Sequence, residues 1–245
     1  MSETNNNKVV LITGFPDTGK SFTMFNMEDQ SSSIYINADN KPLPFNGNFK
    51  ASLSINDAKE ALNIVNAANE SDSVYTIILD TISKLMETYE RQYVIGDTRA
   101  YGAASQEYTQ YYGDIIHSMK AGGKNAVVFG HVKETVKELP DETLEVSTKV
   151  PMRGKLGSGG IESDFSIILS SRKKKLEDLK EFEGELLTIT EQEKIQGFKY
   201  VLQTQSDVTT MGDIIRSPWK MWSPNEKFID NNLDFIFKRI NEYYG

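Results

Sequence analysis

The 245-residue chain carries 27 Lys and Arg against 35 Asp and Glu, a formal net charge of −8, and it has no cysteine. The acidic balance argues against a uniformly basic nucleic-acid binder but allows a local basic groove. The absent cysteines exclude disulfides and Cys-ligated zinc, and two histidines, His117 and His131, are too few for a His-based metal centre.

The length suits one large α/β domain whose core needs no covalent staples. The polar opening "MSETNNNK" reads as a flexible N-terminus over 1–7. No signal peptide or membrane-length apolar run is seen, so the expectation is a cytoplasmic protein with no membrane partner.

In chain order, "KVVLITG" (8–14) is an apolar run of the kind a buried parallel strand gives. "GFPDTGKS" (14–21) then fills the phosphate-loop pattern G-x-x-x-x-G-K-[ST] with Gly14, Gly19, Lys20 and Ser21. The glycines allow backbone angles and close approaches that side chains forbid. Gly14, Phe15, Pro16, Asp17, Thr18, Gly19, Lys20, Ser21 and Phe22 form the expected nucleotide cradle, with backbone N–H groups aimed at anionic oxygens. Lys20 is placed to reach the β- and γ-phosphates, and the Ser21 hydroxyl to ligate Mg²⁺. "GKSFTMFNM" (19–27) has helix-compatible spacing, with Phe22, Met24 and Phe25 for an inner face.

Next come a strand ending in polar residues, "SSIYINADN" (32–40), and an amphipathic helix, "SINDAKEALNIVNAANE" (54–70), capped by Ser54 or Asn56. "VYTIILD" (74–80) reads as a buried strand and "TISKLMETYERQYV" (81–94) as a helix, followed by a looser "IGDTRAYGA". In "SQEYTQYYGDIIHSMKAGG" (105–123) the stripe Tyr108, Tyr111, Tyr112, Ile115, Ile116 and Met119 reads as core packing. "NAVVFGH" (125–131) is a further strand. Such alternation predicts a parallel sheet with ligands at the carboxyl ends of its strands.

From residue 132 the pattern changes. "VKETVKELPDETLEVSTKV" alternates about "PDET" as a β-hairpin does, and the Gly-rich "PMRGKLGSGG" (151–160) reads as a mobile loop. "SDFSIILSSRKKK" and "GFKYVLQTQ" are two further strands separated by a charged stretch (173–196), and "EKFIDNNLDFIFKRINEYY" (226–244) closes the chain as a helix.

Three strand-end residues are candidates to complete a nucleotide site. Asp80, ending "YTIILD", suits the carboxylate that holds Mg²⁺ through water, or a cap for the helix after it. Asp39, in "YINADN", suits a group facing the γ-phosphate, or a turn former. His131 ends the strand beside the phosphate-loop strand, where it suits a γ-phosphate hydrogen bond reported to the next loop.

The segments "GFPDTGKS", "YINADN", "TIILDTISKL", "VVFGHVKE" and "GSGGIESDFSIILSSRKKK" come in the order of the RecA-type recombinase core. The chain resembles most the short, phage-encoded RecA-like ATPases associated with single-strand annealing. The resemblance spans roughly residues 8–205. It implies a RecA-like P-loop NTPase fold over 8–245: a mainly parallel sheet flanked by helices, with antiparallel hairpin additions in the C-terminal half. It further implies ATP and Mg²⁺ as cofactors, Lys20, Asp39 and His131 as the catalytic set, and Ser21 and Asp80 as the metal set. Asp39 falls where the family usually has a longer Glu. The segment after His131 (132–160, hairpin and loop) would meet single-stranded DNA through Lys149, Arg153 and Lys155.

By the same resemblance the protein forms a homo-oligomeric ring or filament, with Arg172–Lys175 or Arg216 entering a neighbour's site. Its other expected partner is a phage single-strand binding or replication protein, in an infected bacterial host. A nucleotide-gated adaptor with little ATPase activity is the alternative. A small-molecule kinase is a further rival, although "VKETVKELPDET" lacks the arginines of a kinase lid.

Overall fold

The structure is a computed structural model that describes residues 8–97, 102–138 and 144–245. The expected flexible segment 1–7 and the "PDET" turn therefore lie outside the described residues, as do four residues of "IGDTRAYGA".

The first half follows the expected alternation. Strand β1 (Val9–Gly14) leads through the phosphate loop to β2 (Ser33–Asn37), β3 (Ala51–Ser54), helix α1 (Glu60–Glu70) and β4 (Thr76–Asp80). Helices α2 (Ile82–Tyr93) and α3 (Ala103–Ala121) and strand β5 (Asn125–His131) complete it. The second half holds a hairpin, β6 (Lys133–Glu138) and β7 (Leu144–Lys149), then helix α4 (Gly154–Gly159) and strand β8 (Ile167–Lys175). Helix α5 (Glu191–Gln196), strands β9 (Phe198–Gln203) and β10 (Phe228–Asp230), and helix α6 (Leu233–Tyr244) follow.

Eight strands form one sheet in the order β10-β9-β8-β1-β5-β4-β2-β3, and β6-β7 pair separately. The six strands from β8 to β3 are parallel, while β9 and β10 are added antiparallel. This is the expected α/β core with antiparallel additions in its C-terminal half.

Period-two alternation divides the interior into two layers. Val9 and Leu11, Ile34 and Ile36, Ile77 and Leu79, and Ala126 and Val128 face α1, α2 and α3. Their neighbours Val10 and Ile12, Tyr35, Ile78, and Val127 and Phe129 face α6, Met24 and Trp222. Each fully buried Ile or Phe in these layers contributes roughly 1.5–3 kcal/mol of transfer free energy. The six-residue stripe of α3 is buried in the first layer, as its spacing predicts.

Four expectations are corrected. Residues 19–27 form only a 3₁₀ turn, Ser21–Met24, with Met24 buried and Phe25 48% exposed. Phe, Thr and Asn are weak helix formers, and the Gln30 side-chain amide takes the Met24 carbonyl at 2.9 Å. The helix placed over 54–70 starts at Glu60. The chain before it pairs with β2 as edge strand β3, and the Ile55 N–H continues the ladder to the Asn37 carbonyl at 3.0 Å.

The Gly-rich 151–160 segment contains the short helix α4, ended by Gly160 at φ +75. The closing helix begins at Leu233 rather than 226, capped by the Asn232 side chain, because Phe228–Asp230 is drawn into the sheet against β9. Among the described residues, no helix is long and apolar enough to cross a membrane.

Candidate nucleotide site

The site lies where β1, β2, β4 and β5 end. Gly14 closes β1 directly opposite His131 of β5, and Asp80 of β4 pairs with Asn37 of β2. The loop between β1 and the 3₁₀ turn is pinned from three sides. Thr18 Oγ1 donates to the Phe15 carbonyl (2.8 Å), Ser171 Oγ to the Thr18 carbonyl (2.7 Å) and Asn231 Nδ2 to the Gly19 carbonyl (2.6 Å). Thr23, fully buried, donates to Asn231 Oδ1 at 2.6 Å and fixes that amide's orientation.

Two glycines are required here. Gly19 sits at φ +89, a region that L side chains avoid. A Cβ at Gly14 would come within 2.6 Å of Thr18 Oγ1 and 3.0 Å of the Ser171 carbonyl.

Lys20 is buried, and its ammonium donates to the carbonyls of Gly14 (2.8 Å) and Phe15 (2.7 Å). Burial lowers its pKa to about 8, against the opposing pull of Asp80 and Asp39. Ser21 Oγ donates to Asp80 Oδ2 at 3.0 Å, joining residues 59 apart in the chain. Tyr35 donates to the same oxygen at 3.0 Å. Burial pushes the Asp80 carboxyl up, while the bonds from Ser21 and Tyr35 draw it down.

Asp39 is fixed beside Asp80 because its N–H and that of Ala38 donate to the Asp80 carbonyl, at 3.2 and 2.7 Å. Its carboxylate faces His131 Nε2 at 3.6 Å and Lys41 Nζ at 3.7 Å, and accepts from Thr81 Oγ1 at 3.4 Å. The imidazole of His131 holds the Asp39 carboxyl below the ordinary carboxylate value, against burial, with Lys41 and Lys84 assisting. The His131 N–H rests on Ser83 Oγ at 3.3 Å, and its Nδ1 is buried with no partner among the described residues.

The donor set fits MgATP. A hydroxyl and a carboxylate are hard oxygen donors of the kind Mg²⁺ takes while keeping water and phosphate in its shell. Among the described residues no group of three or more His, Cys, Asp and Glu is placed to hold a metal by protein atoms alone. The pinned loop and the Lys20 ammonium supply the phosphate cradle.

The structure thus brings Lys20, Ser21, Asp39, Asp80 and His131 together, with the loop residues Gly14–Phe22 around them. The expected DNA contacts stand apart. Lys149 ends β7 and Lys155 lies on α4, both exposed. Arg153, 72% exposed, pairs through Nε with the largely buried Glu90 at 2.7 Å. A groove of about 830 Å³ links the two regions, running from Pro16, Lys41 and His131 to Lys133, Tyr108 and Arg153.

Of the two arginines expected to enter a neighbour's site, both are engaged within the chain. Arg172 pairs with Asp213. Arg216 donates to the carbonyls of Glu162 (3.4 Å) and Phe165 (3.3 Å). Lys173 and Lys175 remain exposed.

Sequence reasoning missed Tyr35, Ser171 and Asn231. Tyr35 carried a signal: in "SIYIN" it alternates with Ile34 and Ile36, and a buried strand tyrosine needs a partner for its hydroxyl. Asn231 carried none, because its role rests on a fold contact across 212 residues. Among the curated proteins no match to the chain is found. A family model described as an AAA domain matches residues 6–212, and the chain belongs to that family, a P-loop ATPase type associated with nucleotide binding.

Proposed function

We propose that the protein is a Mg²⁺-dependent ATPase that acts on single-stranded DNA in phage recombination or replication, in an annealing or mediator role. The observation that carries the ATPase part is the contact of Ser21 Oγ with Asp80 Oδ2 at 3.0 Å, at the mouth of a loop pinned for phosphates. The DNA part rests on the RecA-like resemblance, supported by the groove from His131 to Arg153.

In this reading Lys20 exchanges its bonds to the Gly14 and Phe15 carbonyls for phosphate oxygens, where its charge opposes the charge developing on the transferred group. Ser21 would hold Mg²⁺ directly and Asp80 through water, and the ion would supply positive charge to offset that of the phosphates. Asp39, ionised beside His131, accepts a hydrogen bond from the attacking water and orients it in line. His131 passes a change at the γ-phosphate to Val132 and the hairpin that begins at Lys133, and so to Lys149, Arg153 and Lys155.

One observation favours the second reading, a nucleotide-gated adaptor with slow turnover. Asp39 is short, and His131 lowers its basicity, whereas a general base works best with a pKa near the working pH. The test is ATP hydrolysis with and without single-stranded DNA, for wild type, Lys20→Ala and Asp39→Ala. DNA stimulation that both substitutions abolish supports the recombinase-type ATPase. Slow turnover that ignores DNA and survives Asp39→Ala replaces it with the adaptor.

A further inference from the structure

The phosphate loop borders a second cavity, of about 550 Å³, on the side of Phe22 and Tyr200. That volume lies within the range of small-molecule sites. The Tyr200 ring, on β9, abuts the loop so closely that a Cβ on Gly19 would lie 2.9 Å from its Cδ1. Phe22 lines the same cavity directly after Ser21. The far wall is α5, where Gln192 and Gln196 face the space.

The charged groups in this cavity are already drawn into one ion-paired cluster, a single lysine between two carboxylates. Lys199 Nζ, buried, pairs with Glu193 Oε1 at 2.5 Å and Asp230 Oδ1 at 3.1 Å. By contrast, Gln192, Gln196 and the Tyr200 hydroxyl have no hydrogen-bond partner among the described residues. Three aromatic side chains (Phe22, Tyr200 and Phe235), two free amides and no unpaired carboxylate make a surface for a flat, neutral, hydrogen-bonding ring.

We propose that this cavity binds the nucleoside end of the triphosphate, with a purine ring against Phe22 and Tyr200 and its polar edge toward Gln192 and Gln196. The proposal rests on the nucleotide reading of the phosphate loop. Its direction follows from that site: Lys20, Asp39, Asp80 and His131 mark the γ-phosphate end. The ribose and base therefore leave past the residue that follows Ser21, which is Phe22. Stacking on an aromatic side chain is worth about tenfold or more in affinity per base.

The test is calorimetric titration of MgATP and of Mg-tripolyphosphate, which has the phosphates without the nucleoside, into wild type, Tyr200→Ala and Tyr200→Leu. The leucine keeps apolar bulk against Gly19 and guards against a variant that does not fold. The proposal expects wild type to bind ATP more tightly than tripolyphosphate. Both variants should then lose about tenfold in ATP affinity while keeping their affinity for tripolyphosphate. Equal losses for both ligands would mean that Tyr200 only braces the loop, and would overturn the pocket. Unchanged ATP affinity would overturn it too, as would a wild type that binds ATP no better than tripolyphosphate. A wild type that binds neither ligand would overturn the nucleotide reading itself.

Discussion

The buried Lys20 gives the nucleotide site a pH signature that can be calculated. Its ammonium has a pKa of about 8, against an ordinary 10.5, because burial disfavours the charge more than Asp80 and Asp39 favour it. Phosphate oxygens bind the charged form, so binding restores the proton wherever the free protein has lost it. Below pH 8 lysine is already charged and affinity is flat. Above it, affinity falls by up to tenfold per pH unit, reaching about tenfold at pH 9. Fluorescent-nucleotide titrations at saturating Mg²⁺ from pH 6.5 to about 9 would measure it.

Lys20→Arg, whose guanidinium stays charged throughout, should bind with a flat profile over the same range. The sign for folding follows from the same shift. Between about pH 8 and 10.5 the unfolded chain holds one more proton than the folded one, so the ligand-free protein gains stability as pH rises through that window. A wild-type affinity that stays flat to pH 9, or falls equally in Lys20→Arg, would refute the assignment of a depressed lysine to the phosphate site.

Two further outcomes test the bonds around that lysine. Tyr35→Phe removes one of the two donors to Asp80 Oδ2 in a buried site. It should lower stability by about 1–3 kcal/mol in urea denaturation, and it should raise the Mg²⁺ concentration needed for half-maximal hydrolysis. Gly19→Ala forces a side chain to φ +89 and toward the Tyr200 ring. It should cost about 1–3 kcal/mol and weaken MgATP binding, which the titrations above would detect.

Much of the fold was legible because its strands are short buried runs bounded by polar ends. A run such as "VVLITG" must be covered on both faces, which implies parallel strands and crossover helices. The ends of those runs then had to share one edge, and this is why Asp39, Asp80 and His131 could be placed from sequence. What stayed hidden depends on partners distant in the chain. Strand β3 is recognisable only from its pairing with β2, and β10 only from β9. The turn after the loop stops at Met24, where Asn231 takes the Gly19 carbonyl and Gln30 the Met24 carbonyl, groups that a helix would otherwise use. Local periodicity carries no record of such contacts.

The geometry also bears on how fast such a site can work. Asp39 is held by two backbone bonds to the Asp80 carbonyl, and its charge is stabilised by His131. A carboxylate so stabilised is always ready to accept a hydrogen bond and is correspondingly reluctant to take a proton. In the proposed function, orientation of the attacking water is therefore its main contribution, and that orientation depends on where His131 stands. His131 sits opposite Gly14, whose carbonyl carries Lys20, and it directly precedes the segment leading to the hairpin. In the proposed function, a ligand that shifts the hairpin acts on the histidine, and through it on both the position and the basicity of Asp39. In the proposed function, single-stranded DNA would raise turnover by that route, without any DNA group entering the nucleotide site.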